Sequence, residues 1–412
     1  MRARLISVLL VAACSGSAPA SAPLAVLHIG PHKSGSTYLQ HWACGELRHN
    51  LSKADGVAIL KVPGEHIMWT KTHANLGLAL LAPDLREQKT WRWFLAKLPK
   101  VRARRLGAKI LISTEVLSVI SEERTRLLTS TLHNLDFKVT VVMVYRRLYE
   151  KLPSVHSELF MGPSALPYAS FLEWLEHRDV HQSSRYNQCV RLRDRWAPLV
   201  SSVSIINLHA LDNPTALLRV FVCDHLRAVN TCSCLQEDAA AEELHGTALE
   251  SWLPGSKVNH NPRTTVALFD ATAAVARSSP GGASPSVVRA ASELLASSQA
   301  AAPIDTGLIS RLNVRDSPRL FRCLNDTGRV KLLQLTEDEE ASLFPEQSER
   351  DRRGLRTNFE VMVGRGVFCS VDSGVFGRRA GATAWGGAGD VTVQAGLLAA
   401  AVEARVRAAL AP

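Results

Sequence analysis

The chain has 412 residues, of which 46% are apolar and 21% are charged. This composition is typical of a globular protein with a substantial core, and it excludes a chain that is disordered throughout. The formal net charge of +10 favours an anionic partner, such as a nucleotide, an acidic glycan or a membrane surface. The alternative is that the basic surface only keeps the protein soluble.

The N-terminus has the three parts of a secretory signal peptide. Arg2 and Arg4 precede an apolar run over residues 5–14, and a stretch of small residues follows it. The apolar run is too short to cross a bilayer core of about 30 Å as a helix. We therefore predict a signal in residues 1–22 and a protein of the secretory pathway, in the Golgi lumen or secreted. An uncleaved signal anchor that holds the N-terminus at the membrane is the alternative.

Sequons and cysteines fit such a location. The sequons begin at Asn50 and Asn325. Of the eight cysteines, Cys14 lies within the predicted signal and seven lie beyond it. Some of these seven should form disulfides in an oxidising lumen, and their odd number leaves at least one thiol free or intermolecular.

Strand and helix patterns alternate from Leu24 to about Leu226. The predicted strands cover residues 24–29, 109–113, 138–145 and 203–207. The predicted helices cover residues 36–48, 91–105, 147–160, 171–178, 185–200 and 214–226. Strands separated by helices imply βαβ crossovers, so we predict an α/β fold with a mainly parallel sheet flanked by helices.

The pattern weakens beyond about residue 236. Ala-, Ser- and Gly-rich stretches replace the buried-strand signals there, and residues 395–410 suit either an amphipathic helix or a poorly ordered tail. We predict a main domain over residues 23–300. Residues 301–412 are predicted as a C-terminal extension that is partly disordered.

The strongest local feature is the loop between the first strand and the first helix, where residues 27–39 read LHIGPHKSGSTYL. Backbone N–H groups at a helix N-terminus bind anions, and Gly30 and Gly35 let the chain bend around a phosphate. The loop adds one ammonium and three hydroxyl groups, those of Lys33, Ser34, Ser36 and Thr37. The sequence therefore predicts a P-loop-like phosphate site.

The loop departs from the Walker A pattern, G-x-x-x-x-G-K-[ST]. Gly30 and Gly35 have its spacing, but Ser36 stands where the Walker lysine belongs. No acidic residue ends the Val-rich strand at 138–145, where a carboxylate would hold Mg²⁺. We therefore predict a site for the phosphate of a nucleotide that lacks a γ-phosphate. We predict no metal site.

Residues 33–37, KSGST, resemble the 5′-phosphosulfate loop of the sulfotransferases that use 3′-phosphoadenosine 5′-phosphosulfate (PAPS), which reads K-[ST]-G-[ST]-[ST]. The second signature of this family is an Arg at a strand end and a Ser eight residues later, both of which bind the 3′-phosphate. Arg146 and Ser154 have that spacing, and Arg147 is an alternative ligand one residue nearer. The resemblance covers roughly residues 24–226, and it points to the secretory, carbohydrate-type members.

The resemblance implies an enzyme that moves a sulfuryl group from PAPS, its co-substrate, to a hydroxyl or amine, above all on a carbohydrate. Lys33 would stabilise the leaving phosphate, and Ser36 and Thr37 would hold the 5′-phosphate within the loop formed with Ser34 and Gly35. Residues 23–300 would then be the sulfotransferase domain. The prediction includes no nucleic-acid partner.

The general base has two candidates. Glu115 follows the strand at 109–113, and open α/β sheets place their sites at such carboxyl ends. Similar sulfotransferases often use a Glu or a His near this point. His73 is the second candidate, because some members of that family use a His after their first helix. Glu115 also suits a plain helix start, because Ser113 or Thr114 could cap the residues after it.

Two other functions fit parts of the sequence. A P-loop kinase or NTPase would need a lysine at Ser36 and a metal-binding carboxylate. A non-catalytic, secreted binder of anionic glycans could keep the same fold. Such a binder has no need for both phosphate sites. This interpretation is therefore disfavoured by the presence of Lys33, Arg146 and Ser154.

Overall fold

A computed structural model describes the chain in several segments, which belong to two compact units. The described residues are 23–31, 34–60, 73–85, 88–104, 108–161, 170–177, 188–211, 214–236, 270–276, 285–296, 321–371 and 391–410. The first unit takes in residues 1–146 and 184–249, and the second takes in 147–183 and 250–412. The predicted division at residue 300 stays a prediction.

Seven strands and thirteen helices with defined ends lie in the described segments. The strands are β1 (Leu24–His28), β2 (Val57–Ile59), β3 (Lys109–Ser113), β4 (Lys138–Tyr145), β5 (Ser202–Asn207), β6 (Phe321–Cys323) and β7 (Cys369–Val371). The helices are α1 (Ser36–His41), α2 (Arg48–Lys53), α3 (Ala74–Leu81), α4 (Lys89–Arg104), α5 (Glu122–His133), α6 (Leu148–Met161), α7 (Phe171–His177), α8 (Cys189–Trp196), α9 (Pro214–Val220), α10 (Pro285–Ala296), α11 (Asp326–Leu343), α12 (Glu349–Gly364) and α13 (Val391–Leu410).

The first unit is built on a five-stranded sheet in the order β2-β3-β1-β4-β5. Every neighbouring pair of strands in it is parallel. This confirms the predicted α/β fold with a parallel sheet flanked by helices. The four predicted strands are all present, and β2 is an addition that the sequence pattern did not predict.

Both faces of this sheet are covered, which explains why its strands are nearly continuous apolar runs. Ala25 and Leu27 of β1 pack on one face with α3, α4, α5 and α8. Leu24 and Val26 pack on the other face with α1, α2 and α9. Because β1 is the central strand in this order, it ends in the middle of the carboxyl edge of the sheet, between β3 and β4.

The helices differ from their predicted limits where local geometry changes. The predicted helix over residues 36–48 is α1 followed by a π-helical turn, Trp42–Glu46, and then α2. The predicted helix over residues 185–200 begins at Cys189 and ends in a 3₁₀ turn that contains a proline. The tail that the sequence left open forms the helix α13.

The second unit combines α6 and α7 with helices from the end of the chain. Its core includes Leu148, Tyr149, Phe171, Phe359 and Phe368. The antiparallel strands β6 and β7 lie beside it, joined by the disulfide Cys323–Cys369. Helix α10 packs along α13. None of the helices in the described segments is long and apolar enough to cross a membrane.

The cysteines confirm the expectation that some of them pair. Cys223 bonds to Cys232 in the first unit, in addition to the disulfide between β6 and β7. Cys234 is disulfide-bonded as well. Cys44 and Cys189 are buried thiols.

Candidate functional site

The carboxyl ends of the three central strands bring the predicted loop and the predicted base to one edge of the sheet. His28, the last residue of β1, lies level with Ser113 of β3 and Val142 of β4. The loop leaves β1 directly after His28, and Glu115 follows β3 after one residue. Ligands of open α/β sheets bind at this edge, where the strand order reverses.

Gly35 shapes the described part of the loop. Its φ of +91° lies in the left-handed region, which favours glycine. A Cβ atom at Gly35 would also stand 3.3 Å from Cδ2 of Leu217 in α9. Helical backbone then runs from Ser36, and its first hydrogen bond joins the Leu39 amide to the Gly35 carbonyl over 3.1 Å. The first amides of a helix have no acceptor within the helix itself, which is why a helix start can bind an anion.

Two of the predicted phosphate ligands donate within the loop. The Ser34 hydroxyl donates to the Pro31 carbonyl oxygen over 2.6 Å, and the Ser36 hydroxyl lies 3.4 Å from the same oxygen. Both serines are buried. Lys33 lies outside the described residues, as does the side chain of Thr37. Their predicted roles stay predictions.

Ser113 links three parts of this edge through hydrogen bonds. Its Oγ lies 2.7 Å from Nδ1 of His28, and its amide donates to Nδ1 of His73 over 3.1 Å. Its carbonyl oxygen accepts a long bond of 3.5 Å from Gln40 in α1. Sequence reasoning did not assign His28, Ser113 or Gln40 to the site. The available signal was a polar residue at the end of each of two otherwise apolar strands.

Glu115 opens a 3₁₀ turn, Glu115–Ser118, directly after β3. Thr114 caps this turn, since its Oγ1 accepts from the Val116 amide over 3.3 Å. The Glu115 side chain is buried and near enough to His28 to interact with it electrostatically. The predicted base and His28, after which the loop leaves β1, therefore interact electrostatically.

Both histidines are neutral at physiological pH. Burial lowers the pKa of His28 to about 4, against an opposing effect of the nearby Glu115. Burial also lowers the pKa of His73 to about 4. Because Nδ1 of His73 accepts from the Ser113 amide, the single proton of its ring is on Nε2. His73 thus has its lone pair engaged with the backbone.

The predicted 3′-phosphate pair lies on two units. Arg146 is the last residue of the first unit, and Ser154 lies in α6 of the second. Their joint contact with a phosphate therefore stays a prediction. Arg147 is engaged elsewhere, because its Nε donates to Oε1 of Glu340 in α11 over 2.9 Å. The side chains of this ion pair are buried, with 8% of Arg147 and 2% of Glu340 exposed.

The free energy of unfolding should depend on pH through the two buried histidines. In the unfolded chain their pKa returns to about 6.5, so between pH 6.5 and 4 the unfolded chain binds more protons. Stability is then full above that range and falls as the pH falls, by about 3 kcal/mol for each histidine. Urea unfolding at pH 7 and at pH 5 measures the effect. The free energy of unfolding should fall by about 2 kcal/mol less for His28→Asn than for wild type between these two pH values. Equal losses would contradict the buried, neutral state of His28.

Comparison with known protein families, curated proteins and solved structures finds no match to this chain. Within the described segments, His, Cys, Asp and Glu side chains form no group of three or more that could hold a metal ion. The arrangement at the sheet edge combines a helix that starts after a glycine of positive φ with a buried carboxylate at the next strand end. These are the kinds of group that anion binding beside a proton acceptor would use.

Proposed function

We propose that this protein is a PAPS-dependent sulfotransferase, which moves a sulfuryl group to a hydroxyl or amine of an acceptor, foremost a carbohydrate. One observation carries the proposal: the KSGST loop leaves the central strand of a parallel sheet, with Gly35 in the left-handed conformation that begins α1. The buried Glu115 at the neighbouring strand end supports it. A phosphate loop and a base at one edge are what group transfer from a nucleotide requires.

The loop would bind the 5′-phosphosulfate end of the donor. The first-turn amides after Gly35 and the hydroxyls of Ser36 and Thr37 would hold the 5′-phosphate. Both serine hydroxyls donate to Pro31 in this structure, so each would rotate towards the donor. Arg146 and Ser154 would bind the 3′-phosphate, with the planar guanidinium as a bidentate donor.

The transfer would proceed in line. The acceptor oxygen or nitrogen forms a bond to sulfur while the bond from sulfur to the 5′-phosphate oxygen breaks. The electron pair of the broken bond leaves with 3′-phosphoadenosine 5′-phosphate (PAP), and Lys33 would stabilise that negative charge. The proton of the acceptor passes to the base.

Glu115 suits the role of base better than His73 does. A carboxylate has lone pairs on two oxygens, so Glu115 can accept a proton on one of them while the others keep their hydrogen bonds. His73 would have to release the Ser113 amide from Nδ1, because its other ring nitrogen already carries a proton.

Calorimetric titration with PAP in the absence of magnesium tests the donor site. We expect tight binding, and a loss of about 10- to 100-fold in affinity for Lys33→Ala and Arg146→Ala, since each change removes a charge-assisted contact to phosphate. Arg126→Ala is the matched control, because Arg126 is exposed on α5 and pairs only with Glu122 among the described residues.

Mg-ATP is the comparator in the same titration. A folded protein that does not bind PAP would contradict the proposal. Binding of Mg-ATP instead would favour the kinase or NTPase alternative. Binding of PAP without transfer to any glycan acceptor would favour the non-catalytic alternative. The secretory location rests on the predicted signal and is tested separately, by secretion of the full chain from cultured cells.

A further inference from the structure

The two sequons of the chain lie in different structural settings. Asn50-Leu51-Ser52 falls inside α2, which covers one face of the sheet. Leu51 is wholly buried in that core, and Asn50 is half-buried. Its carbonyl oxygen accepts from the Ala54 amide within the helix. The folded chain therefore keeps this sequon in regular helical backbone with its middle residue inside the core.

Asn325-Asp326-Thr327 lies instead at the start of α11, whose first two residues are Asp326 and Thr327. Asn325 is the N-cap of α11, with extended backbone at φ −68° and ψ 167°. All three residues of the sequon are exposed, and the Asp326 side chain is 96% exposed. An exposed position at the surface is the usual setting of a glycosylated asparagine.

The cap of α11 uses only the oxygen of the Asn325 amide. Oδ1 accepts from the Gly328 amide over 2.8 Å. In N-glycosylation the glycan is attached to Nδ2, and the substituted amide keeps its carbonyl oxygen. A glycan on Nδ2 is therefore compatible with the cap, so modification does not cost the helix its first hydrogen bond.

The surroundings of Asn325 hold the sequon at a fixed surface position. The Leu324 amide donates to the Phe368 carbonyl oxygen over 2.9 Å. The disulfide Cys323–Cys369 lies two residues before Asn325. Asn325 is thus held between β6 on its N-terminal side and α11, which begins at the next residue.

We infer that Asn325 is an N-glycosylation site and that Asn50 stays unmodified. In this reaction Nδ2 forms a bond to C1 of an oligosaccharide carried on a lipid diphosphate. The bond from C1 to the diphosphate oxygen breaks, the lipid diphosphate leaves with the electron pair, and the amide gives up one proton. The inference rests on the predicted signal and on the geometry of the exposed N-cap at Asn325, and it is independent of the donor site.

Expression of the full chain with its signal in cultured mammalian cells tests this inference. Removal of N-glycans with an amidase should shift the wild-type band by one glycan. Asn325→Asp should abolish the shift and keep the cap, because aspartate caps a helix as well as asparagine does. Thr327→Ala should also abolish it, whereas Thr327→Ser keeps the sequon and should keep the shift. Asn50→Gln should behave as wild type.

An unshifted wild-type band would overturn the inference, and so would a shift that survives Asn325→Asp. A second glycan that disappears with Asn50→Gln would overturn the assignment of Asn50. Titration of the amidase-treated protein with PAP, alongside untreated protein, reports the donor site separately. Failure of PAP binding therefore leaves the glycan result readable, and the reverse also holds.

Discussion

Replacement of Glu115 with glutamine should lower the turnover of the proposed sulfuryl transfer by about 10²- to 10⁴-fold, the usual contribution of a general base. Glutamine has the shape of glutamate and cannot take the proton of the acceptor. Affinity for PAP should stay within about twofold of wild type, because binding and proton transfer use different groups. Transfer of labelled sulfate from PAPS to a panel of unsulfated glycans measures turnover, and calorimetry measures affinity.

His73→Asn is the matched variant for this prediction. Asparagine tolerates the positive φ of 64° at His73, and its Oδ1 can accept from the Ser113 amide in place of Nδ1. If Glu115 is the base, His73→Asn keeps most of the turnover. A large loss in His73→Asn, with Glu115→Gln near wild type, would reverse the two assignments.

Glu340→Gln should destabilise the second unit by about 3–5 kcal/mol, the cost of leaving a buried charge without its partner. Arg147 donates to Oε1 of Glu340, and the Gln347 side chain donates to Oε2 over 3.0 Å. The side-chain amide of a glutamine has one oxygen that accepts and one NH₂ group that donates. It can therefore accept from only one of these two donors, and its NH₂ group faces the other. Urea unfolding at neutral pH gives the change in the free energy of unfolding.

Glu337→Gln is the control for this effect, because Glu337 lies on the same helix and pairs with Arg356 near the surface. That pair is screened by solvent, so its loss should have little effect on the free energy of unfolding. The double change Arg147→Met and Glu340→Leu removes both charges, so it should cost less than Glu340→Gln alone. Equal costs for Glu337→Gln and Glu340→Gln would contradict a structural role for the buried pair.

The buried pair also bears on the division of the chain. Glu340 comes from the end of the chain, yet it holds the residue from which α6 starts. A chain that ended at residue 300 would leave Arg147 buried without this carboxylate. The sequence pattern did not indicate this dependence, because α11 has mixed apolar and charged residues and no marked apolar stripe.

Prediction succeeded for elements whose signal is local. β1, β3 and β4 are apolar runs because both faces of the sheet are covered, and such runs are visible in the sequence. β2 was missed because its three residues are too few to form a pattern. α5 was missed because only one narrow side of it is apolar, although Ser121 is a good N-cap.

The sequence by itself determined the parallel α/β fold of the first unit and the position of the loop after its first strand. Burial pattern and turn chemistry act over a few neighbouring residues, so both can be derived from the chain alone. Only the tertiary structure decided that His28 meets Ser113, and that Arg147 pairs with Glu340 across 193 positions. Such contacts follow from strand order and helix packing, which bring together residues whose separation along the chain carries no signal.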